Sequence, residues 1–321
     1  MPLNHKTPWE KRIQKKFEAD DGFLPYWDFK IDENNPYYTI SPDNIPEDWL
    51  DISTPRQIFD VPEIWYGIQR NLYPQLDYRP WHEVDFCRKI WDIYSEKPVE
   101  LVFEVCCGIS PHGSLLAKEG CQIVGMDASE GMIKALETRA RTQNLSLKAY
   151  RRDVFQFSIP GNSPDAAILL GNTFPLAKEN KTDNTALVSQ LRSVGTFLKR
   201  GTIYIIDCGM PHPHPPVEEY TMAAPTSINL DNTRVTVTHR TFPTNMETFS
   251  TPYVQGYAVK FPAGTIRLEY RGVESFVSPQ HLSALVEMSK IFDLVAFHHW
   301  GSAEPGLHSK GGPYLAVLKR K

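Results

Sequence analysis

The stretch that decides the fold is Val99-Glu-Leu-Val-Phe-Glu-Val-Cys-Cys-Gly-Ile-Ser-Pro-His-Gly113. It begins with an apolar run that is typical of a buried strand, continues into small residues, and ends where a helix starts. A turn of this kind lets backbone N–H groups and the positive end of the helix face a bound ligand. The stretch therefore predicts a site for a nucleotide-type ligand beside the turn.

A second signal lies at the end of the next apolar strand, where Asp127 stands in Val124-Gly-Met-Asp-Ala-Ser-Glu-Gly-Met-Ile133. A carboxylate there can accept both hydroxyls of a ribose. A dinucleotide site prefers Gly-x-Gly-x-x-Gly, whose middle glycine lets the backbone approach a pyrophosphate, but this chain has Ser110 there. S-adenosylmethionine has no pyrophosphate and accepts a serine more easily. A nicotinamide oxidoreductase is the weaker alternative, and binding of S-adenosylmethionine and of NAD separates the two.

Apolar strands and helices alternate along most of the chain from Val99 onward. The predicted strands are Val99–Val105, Cys121–Met126, Leu147–Tyr150, Asp165–Leu170, Thr202–Asp207, Leu294–Trp300 and Tyr314–Lys319. The main predicted helices are Trp81–Ser95, Ser129–Arg141, Thr182–Leu198 and Pro279–Lys290, the last capped by Ser278. This alternation predicts an α/β fold, in which a Rossmann-like, mostly parallel seven-stranded sheet carries helices on both faces.

The alternation breaks between residues 211 and 276, where runs with period-two character predict antiparallel strands. These runs are Arg234–Thr241, Tyr253–Phe261 and Thr265–Ser275. We therefore predict four parts. They are an N-terminal extension or lid (1–97), a Rossmann-like cofactor-binding core (98–210), an inserted antiparallel β subdomain (211–276) and a C-terminal completion of the core (277–321).

The N-terminal extension is rich in aromatic residues, which disordered segments lack, so we expect it to be ordered and packed. Trp65, Tyr66 and Tyr73 are candidate substrate-binding residues that would form a lid or an acceptor wall over the cleft. Plain core packing of these aromatic side chains is an equal alternative.

The segments described above resemble the motifs of class I S-adenosylmethionine-dependent methyltransferases. The sequence Glu104-Val-Cys-Cys-Gly-Ile-Ser-Pro-His112 is similar to the family's first motif, with Cys106 and Ser110 in place of two usual glycines. Three further segments match in the family's order. The family's ribose-binding segment corresponds to Gly125–Met132, and its adenine segment corresponds to Arg152–Val154. The segment that faces the substrate corresponds to Leu169–Phe174.

The resemblance implies S-adenosylmethionine as the cofactor and a set of residues that bind it. These are Glu104, Cys106, Gly108, Asp127, Ala128, Met132, Asp153, Val154 and Gly171. Asp127 would bind the ribose, and Asp153 would accept from the exocyclic amine of adenine. Glu104 would orient either the turn or the methionine ammonium. The strand insert resembles that of the glycine, sarcosine and amino-sugar N-methyltransferases, which implies a small-molecule nitrogen acceptor.

Methyl transfer from a sulfonium is an in-line displacement, which requires alignment of the nucleophile and exclusion of water. An amine acceptor needs only to lose its proton, whereas a hydroxyl acceptor needs a general base. The candidate catalytic residues are His112, Asn172 and His299, with Asn172 and either His298 or His299 as acceptor contacts. Methylation on oxygen, carbon or sulfur is one alternative. A catalytically silent cofactor-binding scaffold is a second, because Cys106 and Ser110 replace glycines.

The composition of the 321-residue chain excludes several other classes of protein. A net charge of -4 argues against a basic nucleic-acid-binding surface, and no apolar run is long enough to cross a bilayer. The five cysteines are odd in number and lie mostly in apolar segments, so we expect neither disulfides nor a metal site but a reducing cytoplasm. The expected partner is a small-molecule acceptor, without nucleic acid or membrane, and a homodimer is compatible with this.

Overall fold

The computed structural model describes residues 56–60, 62, 65–66, 79–171, 174, 184–208, 220–221, 226–230, 233–243, 250–261, 263–275, 277–299, 302, 304–306 and 314–321. The strands are β1 (Arg56–Gln57), β2 (Leu101–Val105), β3 (Gln122–Asp127), β4 (Leu147–Arg151), β5 (Ala166–Leu169), β6 (Ile203–Asp207), β7 (Tyr220–Thr221), β8 (Thr226–Leu230), β9 (Thr233–Thr241), β10 (Ser250–Phe261), β11 (Gly264–Ser275), β12 (Phe292–His299) and β13 (Tyr314–Arg320). The helices are α1 (Arg79–Tyr94), α2 (Pro111–Lys118), α3 (Glu130–Thr142), α4 (Asn184–Phe197) and α5 (Pro279–Ser289).

The central sheet has seven strands in the order β12-β13-β6-β5-β2-β3-β4. Strands β2 to β6 run parallel to one another, and β13 is antiparallel to both β6 and β12. This confirms the predicted Rossmann-like, mostly parallel sheet. The order places β2 inside the sheet, between β5 and β3. Ligands bind outside the carboxyl ends of the strands in such sheets, so the turn after β2 lies at the expected place.

Helices cover both faces of the central sheet, which is why its strands read as continuous apolar runs. One face packs against α1 and α2 through residues that include Ile90, Leu116 and Ile205. The other face packs against α4 and α5 through residues that include Leu191 and Leu285. No helix among the described residues is long and apolar enough to cross a membrane.

Local sequence explains where two helices begin. The Ser129 hydroxyl accepts from the Met132 N–H at 3.1 Å and caps α3. The Ser278 hydroxyl accepts from the His281 N–H at 3.1 Å, directly before Pro279 in the first turn of α5. The cap expected at Ser278 is thereby confirmed.

The second sheet has six strands, in the order β1-β11-β10-β9-β7 with β8 also paired to β9. Its pairs are antiparallel except that β1 runs parallel to β11, with Arg56 opposite Leu268. Ile58 follows β1 and is 1% exposed, because it packs among the apolar side chains of β9, β10 and β11. The antiparallel β insert is therefore confirmed, and the segment before the core adds an edge strand to it.

Several features differ from the sequence prediction, and strand β10, for example, begins at Ser250, three residues before the predicted Tyr253. Strands β7 and β8 were not predicted, because they are short and carry little periodic pattern. Strand β12 begins at Phe292, two residues before the predicted start at Leu294. Helix α1 lies inside the predicted extension (1–97), yet it packs on the central sheet. The four domain boundaries themselves stay predictions.

Candidate cofactor and active site

The turn after β2 contains three residues in the left-handed backbone region. Cys106, Gly108 and Ser110 have φ values of 52°, 53° and 54°. The Ser110 N–H donates to the Cys107 carbonyl at 2.6 Å, and the Cys107 N–H donates to the Met126 carbonyl of β3 at 2.9 Å. A residue other than glycine costs about 1–3 kcal/mol in this region. Other contacts must therefore hold Cys106 and Ser110 in place.

Glu104 supplies some of these contacts from inside β2. Its side chain is buried and accepts from the Ser110 hydroxyl, from the Gly113 N–H at 3.2 Å and from His112 Nδ1 at 3.3 Å. Every one of these partners belongs to the turn or to the first residues of α2. Of the two roles expected for Glu104, these contacts support orientation of the turn.

His112 lies between two carboxylates and is buried. Its Nε2 lies 2.6 Å from Glu83 Oε2 of α1, and its Nδ1 faces Glu104. Burial alone lowers the pKa of His112, but the hydrogen bonds and charges of Glu104 and Glu83 outweigh it and raise that pKa to about 9. The two carboxylates therefore favour the protonated form of the ring. Both ring nitrogens face carboxylates, so this placement does not favour His112 as a general base. Its catalytic role stays a prediction.

Arg79 and Asp207 extend this group of charges to β6. Arg79 Nε donates to Glu83 Oε1 at 2.7 Å, and Arg79 Nη2 donates to Asp207 at the end of β6. Burial opposes the charge of Glu83, but Arg79 and His112 hold the pKa of its carboxyl at about 2. Sequence reasoning missed Arg79, Glu83 and Asp207. The usable signal was the pair of opposite charges Arg79 and Glu83, four residues apart at the start of α1.

Asp127 stands at the end of β3 between the turn and α3. One carboxylate oxygen accepts from the Gly108 N–H and the other from the Ser129 N–H, both at 2.9 Å. Burial raises the pKa of Asp127, and these N–H donors oppose the shift. A carboxylate has about four acceptor positions, so the two contacts leave capacity for the hydroxyls of a ribose. The geometry supports the expected ribose contact.

The segment expected to hold adenine follows β4, next to Asp127. The Arg152 N–H donates to the Asp127 carbonyl at 2.9 Å. Asp153 is exposed and accepts from the Phe155 N–H at 2.9 Å, whereas Val154 is buried. An exposed carboxylate beside a buried apolar residue fits the edge and the face of an adenine. Asp153 and Val154 therefore stay the predicted adenine contacts.

The remaining predicted cofactor residues border the same turn. Met132 is buried near Gly108, Ala128 is exposed directly after β3, and Gly171 follows β5 with a φ of 83°. Burial raises the pKa of the Cys106 thiol well above its usual value, so this thiol is neutral. The cofactor contacts of Cys106, Ala128, Met132 and Gly171 stay predictions. Within the described part of the chain, no cluster of three or more His, Cys, Asp or Glu could hold a metal ion.

Aromatic residues of the N-terminal segment pack beside the turn. The Phe59 carbonyl accepts from the Ser129 hydroxyl at 3.0 Å, and Trp65 meets Tyr257 of β10 edge-on with ring centroids 5.1 Å apart. Phe59, Trp65 and Tyr66 also pack on an apolar cluster of Ile109, Met132 and Ala135. The segment thus joins the inserted sheet to the predicted cofactor site. Whether Trp65 and Tyr66 touch the acceptor stays a prediction.

Gly108 offers a direct test of this packing. A Cβ on Gly108 would lie 2.8 Å from the Tyr66 hydroxyl oxygen, and its φ of 53° disfavours any side chain. We expect Gly108→Ala to lose about 1–2 kcal/mol of folding free energy and to bind S-adenosylmethionine more weakly. Adding Tyr66→Phe should recover part of both losses, because it removes the contacting oxygen. Thermal unfolding measures the stability of the single and double variants, and calorimetry measures their affinity for S-adenosylmethionine. Equal losses in the single and the double variant would show that Tyr66 makes no close contact with the turn.

The paired histidines of β12 lie away from the turn. His298 is buried and packs edge-on against Phe86 and Tyr94 of α1, with ring centroids 5.4 and 6.3 Å apart. His299 is half-buried opposite Tyr314. Strand β12 is three strands from β5, roughly 14 Å at ordinary strand spacing. This separation does not favour His298 or His299 as contacts of the reacting atoms.

Two predicted residues lie outside the described part of the chain. They are Asn172, expected after the fourth strand of the core, and Tyr73 of the aromatic segment. The roles of Asn172 in acceptor contact and catalysis stay predictions. The role of Tyr73 in the acceptor wall also stays a prediction.

Comparison with known proteins agrees with this geometry. Residues 102–194 match the family model of a methyltransferase domain. No curated protein matches the sequence. One similar solved structure is that of an S-adenosylmethionine-dependent methyltransferase from Clostridium acetobutylicum. The two sequences are 13% identical, the match covers 78% of this chain and 95% of that chain, and the TM-score is 0.63.

Two further solved structures have similar folds. One is a sugar N-methyltransferase from a Streptoalloteichus species, with 15% identity, 78% of this chain and 92% of that chain covered, and a TM-score of 0.58. The other is an amino pentose methyltransferase from Micromonospora echinaspora with its S-adenosylmethionine bound, at 17% identity, 77% and 96% coverage and a TM-score of 0.53. At these identities the likeness shows the fold.

The matched domain, the sheet order and the turn between Glu104 and Asp127 together define a class of protein. The chain is an enzyme with the class I methyltransferase fold, and its cofactor is S-adenosylmethionine. The residues fit this group, because the left-handed turn places Gly108 directly beside the strand-end carboxylate of Asp127. When bound, the cofactor supplies the methyl group that is transferred.

Proposed function

We propose that this enzyme methylates a nitrogen atom of a small molecule. The observation that carries the proposal is the position of residues 56–60, 65 and 66. They add β1 to the inserted sheet, and Trp65 and Tyr66 pack beside the turn. A site walled by an inserted sheet and an aromatic segment excludes water from a methyl donor. Enclosure of this kind suits a small molecule better than a polymer.

The choice of nitrogen rests on the ionisable groups beside the turn. His112 is held between Glu83 and Glu104, and Asp207 is paired with Arg79. These groups are engaged with one another, so they do not offer a general base to a hydroxyl acceptor. An amine requires no such base once it has lost its proton. The named activities of the sugar N-methyltransferase and the amino pentose methyltransferase add amino sugars to the proposal as the acceptor class.

Turnover with methyl-labelled S-adenosylmethionine tests the acceptor. The panel pairs each small amine or amino sugar with the analogue in which a hydroxyl replaces the amino group. We expect labelled product from the amine alone, at a rate that rises with pH towards the amine's own pKa and that survives His298→Ala and His299→Ala. Labelling of the hydroxyl analogue, lost in one of these variants, would contradict the proposal and favour oxygen transfer.

The same assay distinguishes nitrogen transfer from carbon or sulfur transfer and from a silent scaffold. Transfer to carbon or sulfur gives labelled product from acceptors without an amine. A catalytically silent scaffold binds S-adenosylmethionine but forms no S-adenosylhomocysteine with any acceptor. The proposal includes no nucleic-acid, membrane or metal partner and is compatible with a homodimer. It places the enzyme in the cytoplasm, which the five free cysteines support.

A further inference from the structure

A continuous chain of charged side chains joins α1 and β6 to the turn after β2. It runs from Asp207 through Arg79, Glu83 and His112 to Glu104, with each side chain hydrogen-bonded to the next. At its end, Glu104 accepts from the Ser110 hydroxyl and the Gly113 N–H. We call these five side chains the charge chain. Helix α1 precedes the matched domain of residues 102–194, so the turn is held from outside that domain.

Burial makes the charge chain rigid. Four of its side chains are at most 7% exposed, and Arg79 is 20% exposed. A buried charge is tolerated only when it is paired, and removal of one partner leaves the other uncompensated. Each side chain therefore fixes the next, and a change at Glu83 is transmitted to Glu104 through His112.

The turn depends on this rigidity more than an all-glycine turn would. Ser110 has a left-handed backbone conformation that is unfavourable for serine, and its hydroxyl donates a hydrogen bond to Glu104. Ser110 also begins α2, whose Gly113 N–H faces the same carboxylate. Asp127 in turn accepts from the Gly108 N–H. A shift of Glu104 would move Ser110 and then the backbone that faces the ribose.

We propose that Arg79 and Glu83 of α1 are positioning residues that set the affinity for S-adenosylmethionine by holding the turn through His112 and Glu104. The inference rests on the cofactor and not on the acceptor. It is therefore independent of the proposed nitrogen transfer, and its test measures cofactor binding without any acceptor.

The test compares the full-length wild type with Glu83→Gln, which keeps the size of the side chain but removes its charge. We expect the Kd for S-adenosylmethionine to rise roughly tenfold in calorimetry. With an acceptor present, KM for the cofactor should rise likewise, and kcat at saturating cofactor should change less than roughly threefold. The matched control is Asp85→Asn, which breaks the exposed Lys89–Asp85 pair of the same helix and should leave the Kd unchanged.

The pH profile separates positioning from simple loss of stability. The charged groups that act on His112 are Glu83 from α1 and Glu104 from β2. Glu83 is also paired with Arg79, and the neutral thiol of Cys87 lies near both carboxylates. Because the folded pKa of His112 is raised to about 9, its stabilising contribution is complete below the unfolded value of about 6.5. That contribution is lost as the pH rises through about 9. In Glu83→Gln this pKa falls, so cofactor affinity should decline at lower pH than in the wild type.

Two further variants test the inference, and Arg79→Lys does so even if Glu83→Gln does not fold. Arg79→Lys retains the positive charge but loses the planar fork, and we expect a Kd raised roughly threefold or more. Glu83→Gln combined with His112→Gln removes a cation and an anion together, and should regain part of the affinity lost by Glu83→Gln alone. Wild-type Kd and pH profile in folded Glu83→Gln or in Arg79→Lys would overturn the inference. Absence of any recovery in the double variant would also count against it.

Discussion

Asp127→Ala should weaken binding of S-adenosylmethionine by roughly a hundredfold. The change would remove the two charge-assisted hydrogen bonds that we expect between Asp127 and the ribose, each contributing about 1.5 kcal/mol or more. It also removes the acceptor for the Gly108 and Ser129 N–H groups, so the turn and the start of α3 lose a shared support. Calorimetric titration with S-adenosylmethionine and with S-adenosylhomocysteine measures the loss of affinity for each ligand.

Asp127→Asn is the matched variant for this experiment. It keeps the shape of the side chain and one acceptor oxygen, so we expect an affinity between those of the wild type and Asp127→Ala. Glu130→Gln is the control, because Glu130 is an exposed carboxylate nearby that pairs with Lys134. Unchanged affinity in Asp127→Ala would contradict the ribose assignment.

Deletion of residues 1–70 should abolish turnover. It removes β1, the buried side chain of Ile58 and the Phe59 carbonyl that accepts from Ser129. It also removes Trp65 and Tyr66 from beside the turn, so water would reach the methyl donor. The measurement is product formation from labelled S-adenosylmethionine, with circular dichroism to show that the truncated chain is folded.

A full-length variant covers the case in which the truncated chain is insoluble. Trp65→Ala removes the ring that meets Tyr257, and we expect kcat/KM for the acceptor to fall roughly tenfold. Trp81→Ala is the matched control, because this tryptophan on α1 is 48% exposed and should tolerate truncation. A folded, soluble deletion with normal activity on the same acceptor would rule the lid out.

The central sheet could be predicted from the sequence because parallel strands covered on both faces must be apolar throughout. Runs such as Val99–Val105 and Thr202–Asp207 carry this signal without knowledge of distant contacts. The short strands β7 and β8 could not be predicted in this way, because two to five residues at a sheet margin show no clear period.

The neighbourhood of the cofactor site could be predicted, but the roles of its charged groups could not. The order Glu104, Gly108, Asp127 gives the turn and the carboxylate, because both follow from local strand–turn–helix geometry. The partner of His112 is Glu83, which arrives from a helix outside that local unit. The contact between Arg79 and Asp207 joins residues 128 positions apart. The spacing of residues along a chain does not reveal such contacts, so Glu83 could not be predicted as a partner of His112.

The structure of the complex with S-adenosylhomocysteine tests the central claim most directly. We expect both ribose hydroxyls within hydrogen-bonding distance of the Asp127 carboxylate, about 2.5–3.0 Å. The adenine should lie beside Asp153 and Val154, and the methionine part should follow the turn at Gly108. A ligand bound elsewhere, or a ribose that does not contact Asp127, would contradict the account.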